Sequence, residues 1–371
     1  MRAALALLLL SLARVYGGQD IESPYYLAEG PNVSIPPPKP PSPAEVAHIR
    51  SLIDGLATLD HMSGFLYQAS TFKGLTPFSP VPLEQLPGEE AKTSSAVGAF
   101  DELVKLGPTA IPLLLEALTN AAPTRLTVEK GGGDMMSDTW LCLNFASPRE
   151  LSVRNRLLQG GAVAEFLERH TISVGDVCFA ALGQIVSRNY SPVTYRHTQC
   201  IGVTSPTHSP SISEHLKSIW SDADPTAFLF SSLVRDLRLR SRHEGSVDGF
   251  TVFTASNLQC NAIRRLMYYF PEQGVPLVVA RIDDLNRGWV FTERMREKRF
   301  FQESVIHEQL LDVCARFPNP EVQAAVARYH RRKAVDNATI QAAPYLLGAG
   351  LAAGIAIGWR RLRRRRRPQA S

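Results

Sequence analysis

The sequence predicts a mainly α-helical body with small β insertions, followed by one C-terminal transmembrane helix. Three observations predict it. Apolar residues recur at spacings of three and four through most of the chain; a run of 22 residues from Ala338 to Trp359 carries no charge; and β-branched or aromatic clusters interrupt the helical pattern at only a few places. With 371 residues, 44% of them hydrophobic and 8% aromatic, the chain has the composition of packed cores rather than of wholesale disorder.

The formal charge of +5 has to be located before it is interpreted. Seven of the 40 basic residues are Arg360, Arg361, Arg363, Arg364, Arg365, Arg366 and Arg367; removing them leaves 33 basic against 35 acidic residues. The rest of the chain therefore offers no global basic field, and no nucleic-acid partner is expected. The five cysteines, at 142, 178, 200, 260 and 314, form no CxxC pair, which removes the zinc-ribbon and thioredoxin-like readings. Spacing fixes no disulfide connectivity, and buried free thiols remain the alternative.

Residues 1–17 have the anatomy of a signal peptide: Arg2, an apolar run from Ala3 to Leu10 that continues through Leu12 and Ala13, then Val15 and Gly17 at the positions preferred before a cut. A buried N-terminal helix is the alternative. Residues 18–43 hold eight prolines from Pro24 to Pro43, a density that forbids helix and predicts an extended linker.

The body is expected over residues 44–335. Ser42, Pro43 and Glu45 are placed as a helix start, and Val46, Ile49, Ile53, Leu56 and Leu59 then form one stripe. Val97, Phe100, Leu103, Val104 and Leu106 form a second stripe; Gly107-Pro108 ends it; Ile111, Leu114, Leu115 and Leu118 form a third. Further helices are expected at Val174–Val186, Ile212–Trp220, Thr226–Leu239, Leu258–Tyr269, Gln302–Arg316 and Pro320–Ala334, with Ser211 or Ser213 capping the second of these. The β insertions are a hairpin pairing Thr124–Glu129 with Thr139–Phe145 around Gly131-Gly132-Gly133, and strands within Val193–Val203 and Gly249–Thr254.

The string LVKLGPTAIPLLLEAL, within residues 94–119, resembles a HEAT-type helical repeat, and GDVCFAALGQIVSRNY resembles stretches of uncharacterised bacterial envelope proteins. The first resemblance implies an irregular HEAT-like helical array, because a single such unit cannot bury its own face and needs stacked neighbours. NPEVQAAVARYHRR, at 319–332, is similar to the start of a further unit.

As a helix, residues 338–359 would reach about 33 Å, enough to cross a hydrocarbon core of roughly 30 Å. The Arg-rich tail, residues 360–371, follows at once and would stay in the cytoplasm, since each arginine at mid-bilayer costs about 2.5–3.5 kcal/mol. Gly350, Gly354 and Gly358 fall on one helix face, a pattern that admits close helix packing and so self-association through the membrane. The alternative topology, a cytosolic protein with a tail anchor, would send the arginines across the membrane. The Gly/Ala-rich helix and arginine cluster also resemble the sorting tails of some exported bacterial proteins. The expected address is a bacterial cell membrane, single-pass, with the body extracytoplasmic.

No nucleophile elbow, P-loop, dinucleotide fingerprint or EF-hand loop occurs in the sequence. His307-Glu308 begins like a zincin helix, but Leu311 stands where the second ligand is needed. His243-Glu244 with Asp248, and Glu214-His215, are local acid-imidazole neighbours, and the Ser/Thr-rich Thr204–His215 contains two histidines. No cofactor is implied. The expected function is a non-catalytic, membrane-tethered module that binds another envelope protein. The alternative is an envelope hydrolase whose site assembles from scattered residues such as His197, His208, Asp222 and Asp224.

Overall fold

A serine, a proline and a glutamate start the first helix. Helix α1 (Pro43–Gly55) opens on a capping box: Ser42 Oγ accepts from the Glu45 amide, and Glu45 Oε2 accepts from the Ser42 amide at 2.7 Å. It is one element of a computed structural model that describes residues 31–37, 40–60, 95–129, 165–188, 190, 192–195, 201–238, 250–285, 307–335, 338 and 359. Those residues are mainly helical, with a few short strands.

Ile49, Ile53, Leu56 and Leu59 are buried, the last two on and after a 3-10 turn at Leu56–Thr58. Helix α2 (Ser95–Leu106) and helix α3 (Ile111–Ala117) are joined by a second 3-10 turn, Gly107–Ala110. Gly107 has φ +59°, which a side chain adopts at a cost, and the ring of Tyr269 lies where its Cβ would be. Tyr269 donates to the Val104 carbonyl at 2.5 Å, so the turn and the distant tyrosine hold each other.

Strand β1 (Pro123–Glu129) is the first arm of the expected hairpin, whose second arm, Thr139–Phe145, lies outside the described residues. Its partner is β3 (Arg169–Ser173), antiparallel, with Val128 opposite His170. The alternation of Arg169–Ser173 turns His170 and Ile172 inward, as it does Thr124, Leu126 and Val128 across the ladder. A separate three-stranded antiparallel sheet places β5 (Ile201–Val203) between β2 (Glu165–Leu167) and β4 (Val193–Tyr195).

Helix α4 (Val174–Val186) follows β3 directly, and all 13 of its residues are buried. Helices α1, α2, α3 and α6 (Pro225–Leu237) pack on it. Its start fits only because Gly175 lacks a side chain: a Cβ there would overlap the Leu118 carbonyl oxygen and lie 2.7 Å from Thr207 Cγ2. Helix α5 (Pro210–Trp220) has Ser209 at its N-cap position, not Ser211 or Ser213; Ser209 Oγ lies 2.9 Å from Ser211 Oγ, and Ser213 is buried.

Residues 250–254 are helical, correcting the expected strand: they open α7 (Phe250–Tyr269), whose stripe of Leu258, Ala262, Ile263 and Leu266 overrides the local β-branched preference. Helix α8 (Pro271–Leu285) was hidden by its own Pro271, Gly274 and Pro276. Pro271 takes the first helical position, where its missing N–H leaves no bond unmade, Pro276 lies inside the helix, and Gly274 lets α8 approach the backbone of Leu266 in α7. Helical residues 307–315 (α9) and 320–335 (α10) close the body, with Leu310, Leu311, Cys314, Val322 and Tyr329 joining the common core. Val33 and Ile35, from the Pro-rich segment, also pack against that core.

Among the described residues no helix is long and apolar enough to cross a membrane. The run predicted to do so, 338–359, lies outside them apart from its two ends; Ala338 and Trp359 are both helical and exposed. The signal peptide, Gly350, Gly354, Gly358 and the arginines from Arg360 to Arg367 also fall outside the described residues.

Candidate functional site

A fully buried helix has to satisfy its terminal backbone groups inside the protein, and α4 does so with ionisable side chains. At its N-terminus Ser173 and Asp176 form a second capping box: Ser173 Oγ accepts from the Asp176 amide at 3.2 Å, and Asp176 Oδ2 accepts from the Ser173 amide at 2.9 Å. The carboxylate also sits at the positive end of the helix dipole. The same Oδ2 lies 3.2 Å from His170 Nε2, while Oδ1 is buried with no hydrogen-bond partner.

This end of α4 reaches the surface through the loop after β5. Ser205 Oγ lies 2.7 Å from Thr207 Oγ1, which lies 3.2 Å from Ser173 Oγ. One residue on, the exposed His208 sets its ring edge-on to His170, with centroids 5.1 Å apart. Two imidazoles, one carboxylate and three hydroxyls thus converge from two separate stretches of chain, 170–176 and 205–208. The arrangement holds the base and orienting halves of a nucleophilic site. Its hydroxyls, however, are engaged with one another and with backbone amides: Ser205 Oγ accepts from the Thr207 amide at 3.1 Å, and Ser173 Oγ serves the cap.

The C-terminus of α4 is closed by cations. Ser187 leaves the helix in the left-handed region at φ 62°, and this turns Arg188 back under the helix. Arg188 Nη1 donates to the carbonyls of Val186 and Ser187 and to Asp236 Oδ2 at 2.5 Å; Nη2 donates to Asp236 Oδ1 and Ser232 Oγ. Both partners of this ion pair are fully buried. Arg265, from α7, donates through Nε to the Gln184 carbonyl at 2.6 Å, and burial pushes its pKa down to about 9. Both arginines are cations at the negative end of the helix.

Of the residues singled out in the sequence, His208 joins this cluster, together with Ser205 and Thr207 of the hydroxyl-rich stretch Thr204–His215. His197 lies outside the described residues. Asp222 Oδ1 accepts from the Asp224 amide, and Asp224 Oδ1 accepts from the Ala227 amide as the N-cap of α6, so both aspartates are spent on starting a helix. His215 Nδ1 lies 2.5 Å from the Ser211 carbonyl oxygen within its own helix. Cys178 is fully buried, and burial raises its thiol well above the ordinary range. Leu311 packs in the core; His307, at the described start of α9, is held down at about 4 by burial and by Arg281 and Lys333, and its Nδ1 has no hydrogen-bond partner.

Sequence reasoning missed His170, Asp176, Arg188, Asp236 and Arg265. A signal for Asp176 did exist: Ser173 with an acid three residues later, ahead of an apolar run, is a helix start. Among the described residues no three His, Cys, Asp or Glu side chains are grouped to hold a metal ion. A shallow open groove of about 640 Å³ runs along α1, lined by Pro41, Pro43, Val46, Ala47, Arg50, Ser51 and Asp54. Comparison with family models, with curated proteins and with solved structures returns no match.

Proposed function

We propose that the chain is a membrane-tethered, non-catalytic binding or scaffold module of a bacterial cell envelope, with an irregular HEAT-like helical body on the non-cytoplasmic side. One observation carries the reading: a charge-free run of 22 residues, Ala338 to Trp359, runs directly into seven arginines. The signal-peptide anatomy of residues 1–17 supports the same topology. The helical body supports a binding role, since its main polar groups are engaged in helix capping and its groove along α1 is too open to enclose a small molecule. Gly350, Gly354 and Gly358 supply a face for self-association in the membrane.

Protease treatment of intact spheroplasts expressing the full chain, with mass mapping of both termini, tests this reading. Loss of the body with survival of a short Arg-rich fragment is expected. A body protected until lysis would refute the topology.

An envelope hydrolase is the second reading, and the approach of His208 to His170 and Asp176 favours it. It requires that His170→Ala abolish turnover of an ester or amide substrate while the thermal midpoint stays within a few degrees of the parent. Equal turnover by parent and variant would remove it.

A further inference from the structure

Helix α10 ends in a basic cluster, Arg328, His330, Arg331, Arg332 and Lys333, with four residues, Asp336 among them, between it and the uncharged run. Two of these cations are tied to the body: Arg328 Nη2 lies 3.2 Å from Asp283 Oδ2 of α8, and Lys333 Nζ lies 2.5 Å from Glu308 Oε1 of α9. Val322, Ala325, Val326 and Tyr329 bury the inner face. At 100° per residue, Arg331 falls opposite Tyr329, with Val335 one turn further along the same outward face. Arg331 and Arg332 are exposed and form no ion pair with a described residue, and Val335 is 64% exposed. The outward end of the last body helix is thus two arginines followed by an apolar side chain.

We propose that this end of α10 is a lipid-docking surface, in which Arg331 and Arg332 hydrogen-bond the phosphates of anionic lipids and Val335 enters the headgroup layer. The proposal rests on the tether reading given above. Charge and distance both fit. Ala338, where the uncharged run begins, is helical and follows Arg332 by six residues; a helix of that length would rise about 9 Å. The headgroup layer occupies roughly 5–7 Å on each side of the hydrocarbon core, so long arginine side chains at that height reach the phosphates. Asp336 is the one acidic residue between Arg332 and the uncharged run, against the two arginines. Guanidinium groups form bidentate hydrogen bonds with phosphate, which favours arginine over lysine here. The seven arginines on the far side still outnumber the four lysine and arginine residues at this end of α10, so the topology is kept. Because Arg328 and Lys333 are anchored to α8 and α9, docking would fix the orientation of the whole body against the bilayer.

The test is hydrogen exchange across 328–335 in the full chain, reconstituted into nanodiscs of phosphatidylcholine alone or mixed with phosphatidylglycerol. Exchange is expected to slow in the anionic discs. Each arginine should contribute about fivefold, the effect should fade at high salt, and it should be lost in Arg331→Gln/Arg332→Gln, whose exposed positions leave the fold intact. Inorganic phosphate added to neutral discs should give no protection; protection by it would identify a free-anion site and overturn the lipid assignment. Equal exchange in both lipids by an incorporated chain overturns the docking surface alone. Failure to incorporate into discs at all overturns the tether, and the docking surface with it.

Discussion

The two ends of α4 solve one problem in different ways. At the C-terminal end, Arg188 and Arg265 meet the last carbonyls, and Asp236 neutralises Arg188 with both groups wholly out of water. At the N-terminal end, Asp176 is just as buried, yet one carboxylate oxygen lacks a hydrogen-bond partner and the path outward leads through His170 to an exposed His208. At the first end none of the described polar side chains, Ser187, Arg188, Ser232, Asp236 and Arg265, reaches solvent, which makes their role structural. The second combines a cap with groups that a ligand or solvent can approach, which makes it the place to look for chemistry. Buried charge by itself therefore does not mark a site; the connection to the surface does.

Substitutions at the two ends test that contrast. The largest effect is expected for Asp236→Ala, which leaves the Arg188 charge buried and unpaired at a cost of about 3–5 kcal/mol; replacing both partners by apolar residues should recover most of it. Urea unfolding midpoints measure both, and a stable Asp236→Ala would mean that this end is open to water after all. Gly175→Ala comes next, at about 1–3 kcal/mol, since its Cβ meets the Leu118 backbone rather than a movable side chain tip. Ser173→Ala removes one cap hydrogen bond and should cost about 1 kcal/mol by the same measurement. A loss above that of Asp236→Ala would invert the comparison.

A pH-dependent effect is expected away from both ends. His307 has its folded-state pKa lowered from 6.5 to about 4. The unfolded chain then binds more protons between those values. The contribution is complete above pH 6.5 and declines as the pH falls toward 4, with a slope that never exceeds one proton. Stability measured across that interval should flatten in His307→Gln. An unchanged slope would show that His307 is not held neutral in the folded protein.

Much of the helical framework is legible locally. Ser42-Pro43-x-Glu45 sets where α1 starts, and Gly107-Pro108 sets where α2 turns, because capping hydrogen bonds and allowed φ values act over a few residues. The strand Arg169–Ser173 was not legible, since its sequence is largely polar and only its pairing with β1 turns His170 and Ile172 inward. Helix α8 was masked by prolines and a glycine whose purpose appears only beside α7. Of the candidate cluster, His208 stood out as part of a hydroxyl-rich loop, whereas His170 had no feature to distinguish it from eight other histidines.

By itself the sequence determined the helical periodicity, the caps, the confinement of positive charge to the tail and the uncharged run beside it, because each is a property of neighbours along the chain. Only the tertiary structure decided that Arg188 meets Asp236 across 48 positions and that His208 comes to rest on His170. Such contacts are set by which helix faces bury together, and a side chain's partner across that distance leaves no mark on its own local sequence.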